Sequence, residues 1–81
     1  MFYFYILQSV ISYRYYIGST EDLKNRLLLH NKGIVKSTKS NRPWRLVYSE
    51  SFSTLREARK RELQVKKWKS RVAIERLIKT F

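Results

Sequence analysis

The run Phe2-Tyr3-Phe4-Tyr5-Ile6-Leu7-Gln8 puts aromatic or aliphatic side chains on both faces of an extended segment. Side chains of a strand alternate between faces, so such a strand is expected to be covered from above and below rather than to lie on a solvated surface. Residues 13–18 read similarly, with Tyr13, Tyr15 and Ile17 on one face and Arg14, Tyr16 and Gly18 on the other. Only a short Ser-Val-Ile-Ser connection separates the two segments, which makes an antiparallel hairpin the economical pairing. A chain of 81 residues has one hydrophobic core to share, so residues 1–81 are expected to form a single domain around that hairpin.

The remaining elements follow from start and stop signals. Thr20 precedes Glu21 and Asp22, a plausible N-cap with acids in the first turn, and a helix is expected from about Glu21 to Asn31, stopping at Gly33. On it Leu23, Arg26, Leu27 and His30 share one stripe. Residues 34–43 read as a mobile basic loop ending at Pro43, and residues 44–52 as a third strand. Thr54-Leu-Arg-Glu57 matches a capping box, starting a helix that runs to Trp68 or Lys69. Leu55, Ala58, Glu62 and Val65 fall on one stripe of this helix, which puts a carboxylate on the face meant for the core. A last helix, roughly Ser70 to Thr80, carries Ile74, Leu77, Ile78 and Phe81 inward. The order β-β-α-β-α-α gives an α/β (α+β) domain, a three-stranded antiparallel sheet flanked by helices.

Charge narrows the partners. The chain carries 18 Lys+Arg against 6 Asp+Glu, a formal net charge of +12, and is 43% apolar, too much for a disordered basic tail. The charge is uneven: residues 1–23 carry −1, 24–45 carry +7, 46–55 carry −1 and 56–79 carry +7. A polyanion is the expected partner. The absence of cysteine excludes disulfides, thiolate zinc sites and a cysteine nucleophile, and is compatible with a cytoplasmic setting. The apolar run at residues 2–7 lacks a basic segment before it and a small-residue cleavage site after it, and no segment approaches the length of a membrane span.

The chemistry-bearing candidates are two strand tyrosines, a helical Arg/His pair and one glutamate, and each has an ordinary structural explanation. Sheet tyrosines usually pack, a lone histidine is more often structural than catalytic, and a glutamate in so basic a chain finds a cation easily. Together they form a pattern. Tyr3-Phe4-Tyr5 and, separated from Tyr5 by ten residues, the intact triplet Tyr16-Ile17-Gly18 resemble the paired motifs of the GIY-YIG nuclease superfamily. The first triplet retains only the tyrosine of Gly-Ile-Tyr. Arg26 lies ten positions after Tyr16, His30 one helical turn later, and Glu62 in the downstream helix, all matching family positions. The match covers essentially the whole chain and looks most like the small single-domain bacterial members.

The resemblance implies an endonuclease that hydrolyses DNA phosphodiester bonds, structure-selective in repair or recombination. It implies one Mg²⁺ or Mn²⁺ ion held by Glu62 and a phosphate held by Arg26. Tyr5 and Tyr16 would orient or deprotonate water, and His30 would be a general base or a relay to Tyr16. A phenol of pKa ~10 is a poor base at neutral pH unless nearby cations lower it, so His30 is the easier proton acceptor. Many members carry an asparagine after the glutamate helix; the asparagines here are Asn25, Asn31 and Asn41, all upstream of Glu62.

Lys36, Lys39 and Arg42 of the loop and Arg59, Lys66, Lys67 and Lys69 of the long helix are the expected nucleic-acid contacts. Contacts to phosphate give salt-sensitive binding with little base preference. Trp44 and Trp68 are as suited to filling the core as to stacking on bases. RNA remains a possible substrate, a protein partner a possible source of specificity, and a membrane is not expected. Two other readings stay open: a module of the same fold that holds nucleic acid without cutting, and a binder of anionic membrane surfaces, which the charge permits but the Tyr5, Tyr16, Arg26, Glu62 set does not explain.

Overall fold

The computed structural model describes residues 1–80; Phe81, expected to point inward, lies outside the described residues. The elements run β1 (Phe2–Ser9), β2 (Tyr15–Thr20), α1 (Leu23–Asn31), β3 (Trp44–Phe52), α2 (Leu55–Trp68) and α3 (Arg71–Lys79), with a short helical turn at Lys39–Asn41. The three strands form one antiparallel sheet in the order β2-β1-β3. This is the expected α+β arrangement, and it explains the N-terminal run: β1 is the central strand. Phe4 and Ile6 project to one face and pack with Ile17, Tyr48 and Val65 under Ile74, Leu77 and Ile78 of α3. Tyr5 and Leu7 project to the other and pack with Trp44, Tyr16 and, from α1, Leu23 and Leu27. Fully burying a large apolar side chain contributes roughly 1.5–3 kcal/mol, so these two half-cores carry the fold.

A bulge shapes β3. Ile6 pairs with Tyr48 but Leu7 with Leu46, leaving Val47 as the extra residue. The added residue reverses the alternation, which is how Trp44 and Tyr48, four residues apart, reach opposite faces of the sheet.

Two boundaries differ from the sequence expectation. Helix α1 starts at Leu23 rather than Glu21, with Asp22 as its N-cap and the Asp22 carboxylate accepting the Asn25 N–H at 3.0 Å. Thr20 is unavailable as a cap because it is the last residue of β2, paired with Tyr3. Strand β2 starts at Tyr15 rather than Tyr13, because the hairpin turn consumes residues 10–14. Tyr13 adopts the left-handed region at φ 62, and Ser9 Oγ accepts the N–H groups of Ile11 and Ser12.

The segment expected as a mobile basic loop is tied to the domain. Thr38 is fully buried. The Trp44 indole N–H donates to its carbonyl at 2.8 Å, and Ser9 Oγ donates to the Asn41 carbonyl at 2.6 Å. The Asn31 side chain closes the other end, accepting the Trp44 N–H at 2.6 Å and donating to the Trp44 carbonyl at 3.0 Å. Side chains thus supply the partners that a backbone outside helix and sheet lacks. Trp44 is a core residue, whereas Trp68 ends α2 half exposed, beneath the Arg61 guanidinium at 5.6 Å.

The Thr54 cap forms as expected on one side: Thr54 Oγ1 accepts the Glu57 N–H at 3.2 Å. Its reciprocal contact is different, since the Thr54 hydroxyl donates to the Glu57 carboxylate at 3.0 Å. Thr54→Ala is expected to lower the unfolding free energy by about 1 kcal/mol, read as a lower urea midpoint by circular dichroism; an unchanged midpoint would show that the cap contributes nothing.

Candidate active site

Tyr5 on β1 stands opposite Gly18 on β2, and its ring lies across the glycine. A Cβ at position 18 would sit 2.6 Å from the Tyr5 hydroxyl oxygen and 2.7 Å from Cζ. The glycine of the Tyr-Ile-Gly triplet is therefore needed for clearance. The Tyr5 side chain is almost fully buried, and its hydroxyl lies 3.0 Å from His30 Nε2.

His30 is wholly buried, with Nδ1 2.8 Å from Thr38 Oγ1. The Thr38 hydroxyl donates to the Val35 carbonyl at 3.2 Å. With that proton committed, Nδ1–H donates to Thr38 and Nε2 is left as the acceptor for the Tyr5 O–H, a tautomer assigned from the hydrogen-bond network. The buried chain runs Tyr5 to His30 to Thr38 to Val35. Burial, reinforced by the charge of Arg26, pushes the His30 pKa down to about 4. Burial pushes Tyr5 up to about 12, although its hydrogen bond with Arg26 acts the other way. Both groups are neutral at pH 7. His30 as a freely protonated base is thus disfavoured. Its hydrogen bond goes to Tyr5, while Tyr16 meets it through a ring contact with centroids 4.9 Å apart.

Arg26 precedes His30 by one turn of α1 and is half-buried. Its hydrogen bond to the Tyr5 hydroxyl raises its own pKa, with a smaller contribution from Tyr16. Its guanidinium thus stands against both phenols. Leu23 and Leu27, on the same stripe, seat the helix on the sheet.

Glu62 belongs to the opposite face. Its Oε1 accepts the Ser19 hydroxyl at 2.6 Å and its Oε2 accepts Lys66 Nζ at 2.6 Å. Ser19 follows Gly18, so the site straddles the edge strand β2, with Tyr5, Tyr16 and Arg26 on the α1 side and Ser19 and Glu62 on the α2 side. The two halves interact: the Glu62 charge is the smallest of the causes that raise Tyr5.

Among the described residues no group of three or more His, Cys, Asp or Glu side chains gathers to bind a metal. That excludes, among these residues, a structural zinc site. One carboxylate beside a hydroxyl fits a hard divalent ion such as Mg²⁺ or Mn²⁺, which uses few protein oxygens and keeps several waters. The fit requires Lys66 to leave Oε2.

The basic candidates divide. All seven are exposed. Lys66 and Lys69 line a groove of about 380 Å³ with Tyr15, Tyr16 and Arg71, against the β2 edge. Lys67 faces a larger groove of about 690 Å³ on another side of α2, with Phe52, Leu63 and Trp68, and Arg59 lies with Arg56 and Leu63. Arg42 packs its guanidinium against Gly33, where an added Cβ would lie 1.6 Å from it. The sequence gives no sign of Thr38 as the partner of His30, because a threonine among lysines and serines reads as surface.

Two tyrosine-bearing strands, an arginine on the helix that follows and a glutamate on the next long helix define a small α+β catalytic-domain architecture. The chain belongs to the GIY-YIG family, whose catalytic domain matches residues 1–76. It is 43% identical over 67 residues to a UPF0213 protein of Bacillus pumilus (strain SAFR-032), covering 82% of this chain and 67% of that protein. It is 48% identical over 54 residues to a UPF0213 protein of Bacillus subtilis (strain 168), covering 65% of this chain and 54% of that one. The chain therefore spans about half to two thirds of the length of these relatives. The solution NMR structure of a UPF0213 protein from Bacillus halodurans is similar, with a TM-score of 0.60 and 34% identity over 99% of this chain and 85% of that one.

Gly18→Ala is expected to displace the Tyr5 ring and lower stability by about 1–3 kcal/mol, measured by urea unfolding; a fully stable variant would mean that the ring is not held over position 18. His30 adds a pH signature. Its folded pKa of about 4 lies below the ordinary 6.5, so its neutral form stabilises the fold above pH 6.5, and that contribution fades as pH falls towards 4. The contribution amounts to at most about 3 kcal/mol. The stability difference between wild type and His30→Gln should accordingly shrink between pH 7.5 and pH 4.5, and a constant difference would contradict the burial of a neutral imidazole.

Proposed function

We propose that the chain is a metal-dependent endonuclease that hydrolyses DNA phosphodiester bonds, working in the cytoplasm. The observation that carries this reading is the Arg26 guanidinium set against the Tyr5 and Tyr16 hydroxyls, across the edge strand β2 from the Glu62 carboxylate that Ser19 holds. Phosphodiester hydrolysis needs an oriented water, a proton acceptor for it, and positive charge at the phosphate and the leaving oxygen.

Arg26 suits the phosphate, because its planar fork offers two parallel donors to nonbridging oxygens. Tyr16, half-buried at the groove, is placed to orient the water. Tyr5 is neutral at pH 7 and accepts a proton only as it gives one up. Its route is the Nε2 lone pair of His30, 3.0 Å away. A phosphate paired with Arg26 would offset the positive charge that helps hold His30 down, easing the transfer at the moment substrate is bound. Thr38 holds the imidazole in the accepting tautomer. Glu62, with Ser19 steadying one oxygen, would hold a Mg²⁺ or Mn²⁺ ion, which when bound supplies positive charge to the phosphate and the departing alkoxide. Lys66 and Lys69 would follow the sugar-phosphate backbone, giving affinity without sequence choice; in an isolated domain, preference for a DNA structure would come from DNA shape or from a partner.

One observation favours the non-cutting module instead: both Glu62 oxygens are already engaged, by Ser19 and Lys66. Cleavage assays decide. Purified protein with Mg²⁺ or Mn²⁺ is expected to nick supercoiled, branched or single-stranded DNA, and Glu62→Ala and Arg26→Ala to lose about 100-fold or more of that rate. Tyr5→Phe should lose a similar factor because the proton route is cut. Nicking that survives the Glu62 and Arg26 substitutions would exclude this site. Salt-sensitive binding with no cleavage by wild type would favour the module.

A further inference from the structure

Glu62 is held unevenly. Ser19, uncharged and fixed on β2, bonds one oxygen, while Lys66, a far more mobile partner one turn along α2, bonds the other. The Lys66 side chain is 46% exposed and that of Glu62 only 18%. The carboxylate is thus largely withdrawn from water, and its compensating charge sits on a long, flexible arm. A pair of this kind, one partner exposed, contributes little to stability, so structure alone is a weak reason for it. The ammonium instead stands where a second cation would have to bind, and an oxygen in contact with Nζ at 2.6 Å cannot also take a divalent ion without the two like charges colliding.

The direction in which the lysine can leave is set by its surroundings. Lys66 lines the groove against the β2 edge together with Tyr16, Lys69 and Arg71. An ammonium released from Glu62 enters a space already bordered by two cations. That move is unfavourable alone and favourable when an anion occupies the groove.

We propose that Lys66 is an exchangeable counter-ion, occupying the cation position of Glu62 in the free protein and passing to a phosphate of the nucleic acid when a divalent ion takes that position. The inference rests on the reading of Glu62 as metal ligand and adds an order to it. Metal and DNA each favour the arrangement the other needs, so their binding is positively coupled, and the coupling is reciprocal. In the absence of DNA the site is guarded by its own lysine, and the metal-loaded form accumulates where substrate is bound.

The test measures Mn²⁺ binding rather than cleavage. Electron paramagnetic resonance titrations would follow Mn²⁺ with the free chain and with the chain bound to a short duplex carrying hydrolysis-resistant phosphorothioate linkages. The Glu62→Gln complex serves as the blank for ions held by the DNA itself. Wild type is expected to bind Mn²⁺ about three- to tenfold more tightly with the duplex than without it. Lys66→Met is expected to bind Mn²⁺ about three- to tenfold more tightly than wild type in the free state and to lose most of the gain on adding DNA. Lys66→Arg, which keeps the charge, should restore the wild-type coupling. Unchanged or weaker Mn²⁺ binding by Lys66→Met, or undiminished coupling, would overturn the exchange while leaving Glu62 as ligand. Mn²⁺ binding by Glu62→Gln equal to that of wild type would overturn the ligand assignment, and the exchange with it. Matching thermal unfolding of the Lys66 and Glu62 variants would confirm that the fold is unchanged.

Discussion

The phenol of Tyr5 reaches the imidazole of His30 only because β2 presents a glycine opposite it, and that one hydrogen bond joins three parts of the chain. Tyr5 comes from the central strand, His30 from α1, and Thr38, on the far side of the imidazole, from the connection to β3. Arg26, one turn before His30, is placed against the phenols by the same docking of α1. Every buried side-chain polar atom among the described residues has a partner, and a chain of this kind tolerates little change: a partner removed leaves a buried donor or acceptor without one, at a cost of about 1–3 kcal/mol.

The same burial sets the chemistry. Desolvation favours neutral forms, raising a phenol and lowering an imidazole, and here it leaves a neutral donor facing a neutral acceptor. Neither is a strong base in the free protein. In the proposed reaction their value lies in being coupled, since a proton taken up by the phenol oxygen has somewhere to go, and in being poised by Arg26, whose charge a bound phosphate would offset. The net charge of +12 has a divided place in this picture. Lys66, Lys69 and Arg71 border the β2 edge, whereas Lys67 and Arg59 lie on other sides of α2. Only part of the basic surface borders the β2 edge, and in the proposed reaction the acidic Glu62 beside it would be the residue that distinguishes cutting from holding.

Much of this was legible in the sequence because the signals were local. A strand apolar on both faces had to be covered from above and below, Thr54 and Glu57 marked the start of α2, and the stripe of Leu23, Arg26, Leu27 and His30 followed from helical periodicity. The Tyr-Ile-Gly triplet, with Tyr5, Arg26, His30 and Glu62 at their spacings, carried the resemblance to the family. The rest depended on contacts between distant residues. Asp22 replaced Thr20 as the cap because sheet pairing, invisible locally, claimed the threonine. The bulge at Val47, which sends Trp44 and Tyr48 to opposite faces, has no glycine to announce it. The segment around Thr38 read as mobile because its anchors, His30, Ser9 and the Trp44 indole, lie elsewhere in the chain. The proton partner of His30 was also undecidable from spacing: Tyr5 and Tyr16 lie on adjacent strands, and only the fold brings the Tyr5 hydroxyl to Nε2.

The most direct measurement is the protonation state of that imidazole. Long-range ¹⁵N–¹H correlation spectra of the folded chain should show His30 as a neutral ring with its proton on Nδ1 from pH 7.5 down to about pH 5, well below the ordinary 6.5, with Nε2 as the acceptor. An imidazolium at pH 6, or a neutral ring protonated on Nε2, would show that Tyr5 has no acceptor there and that the proton route through His30 does not exist.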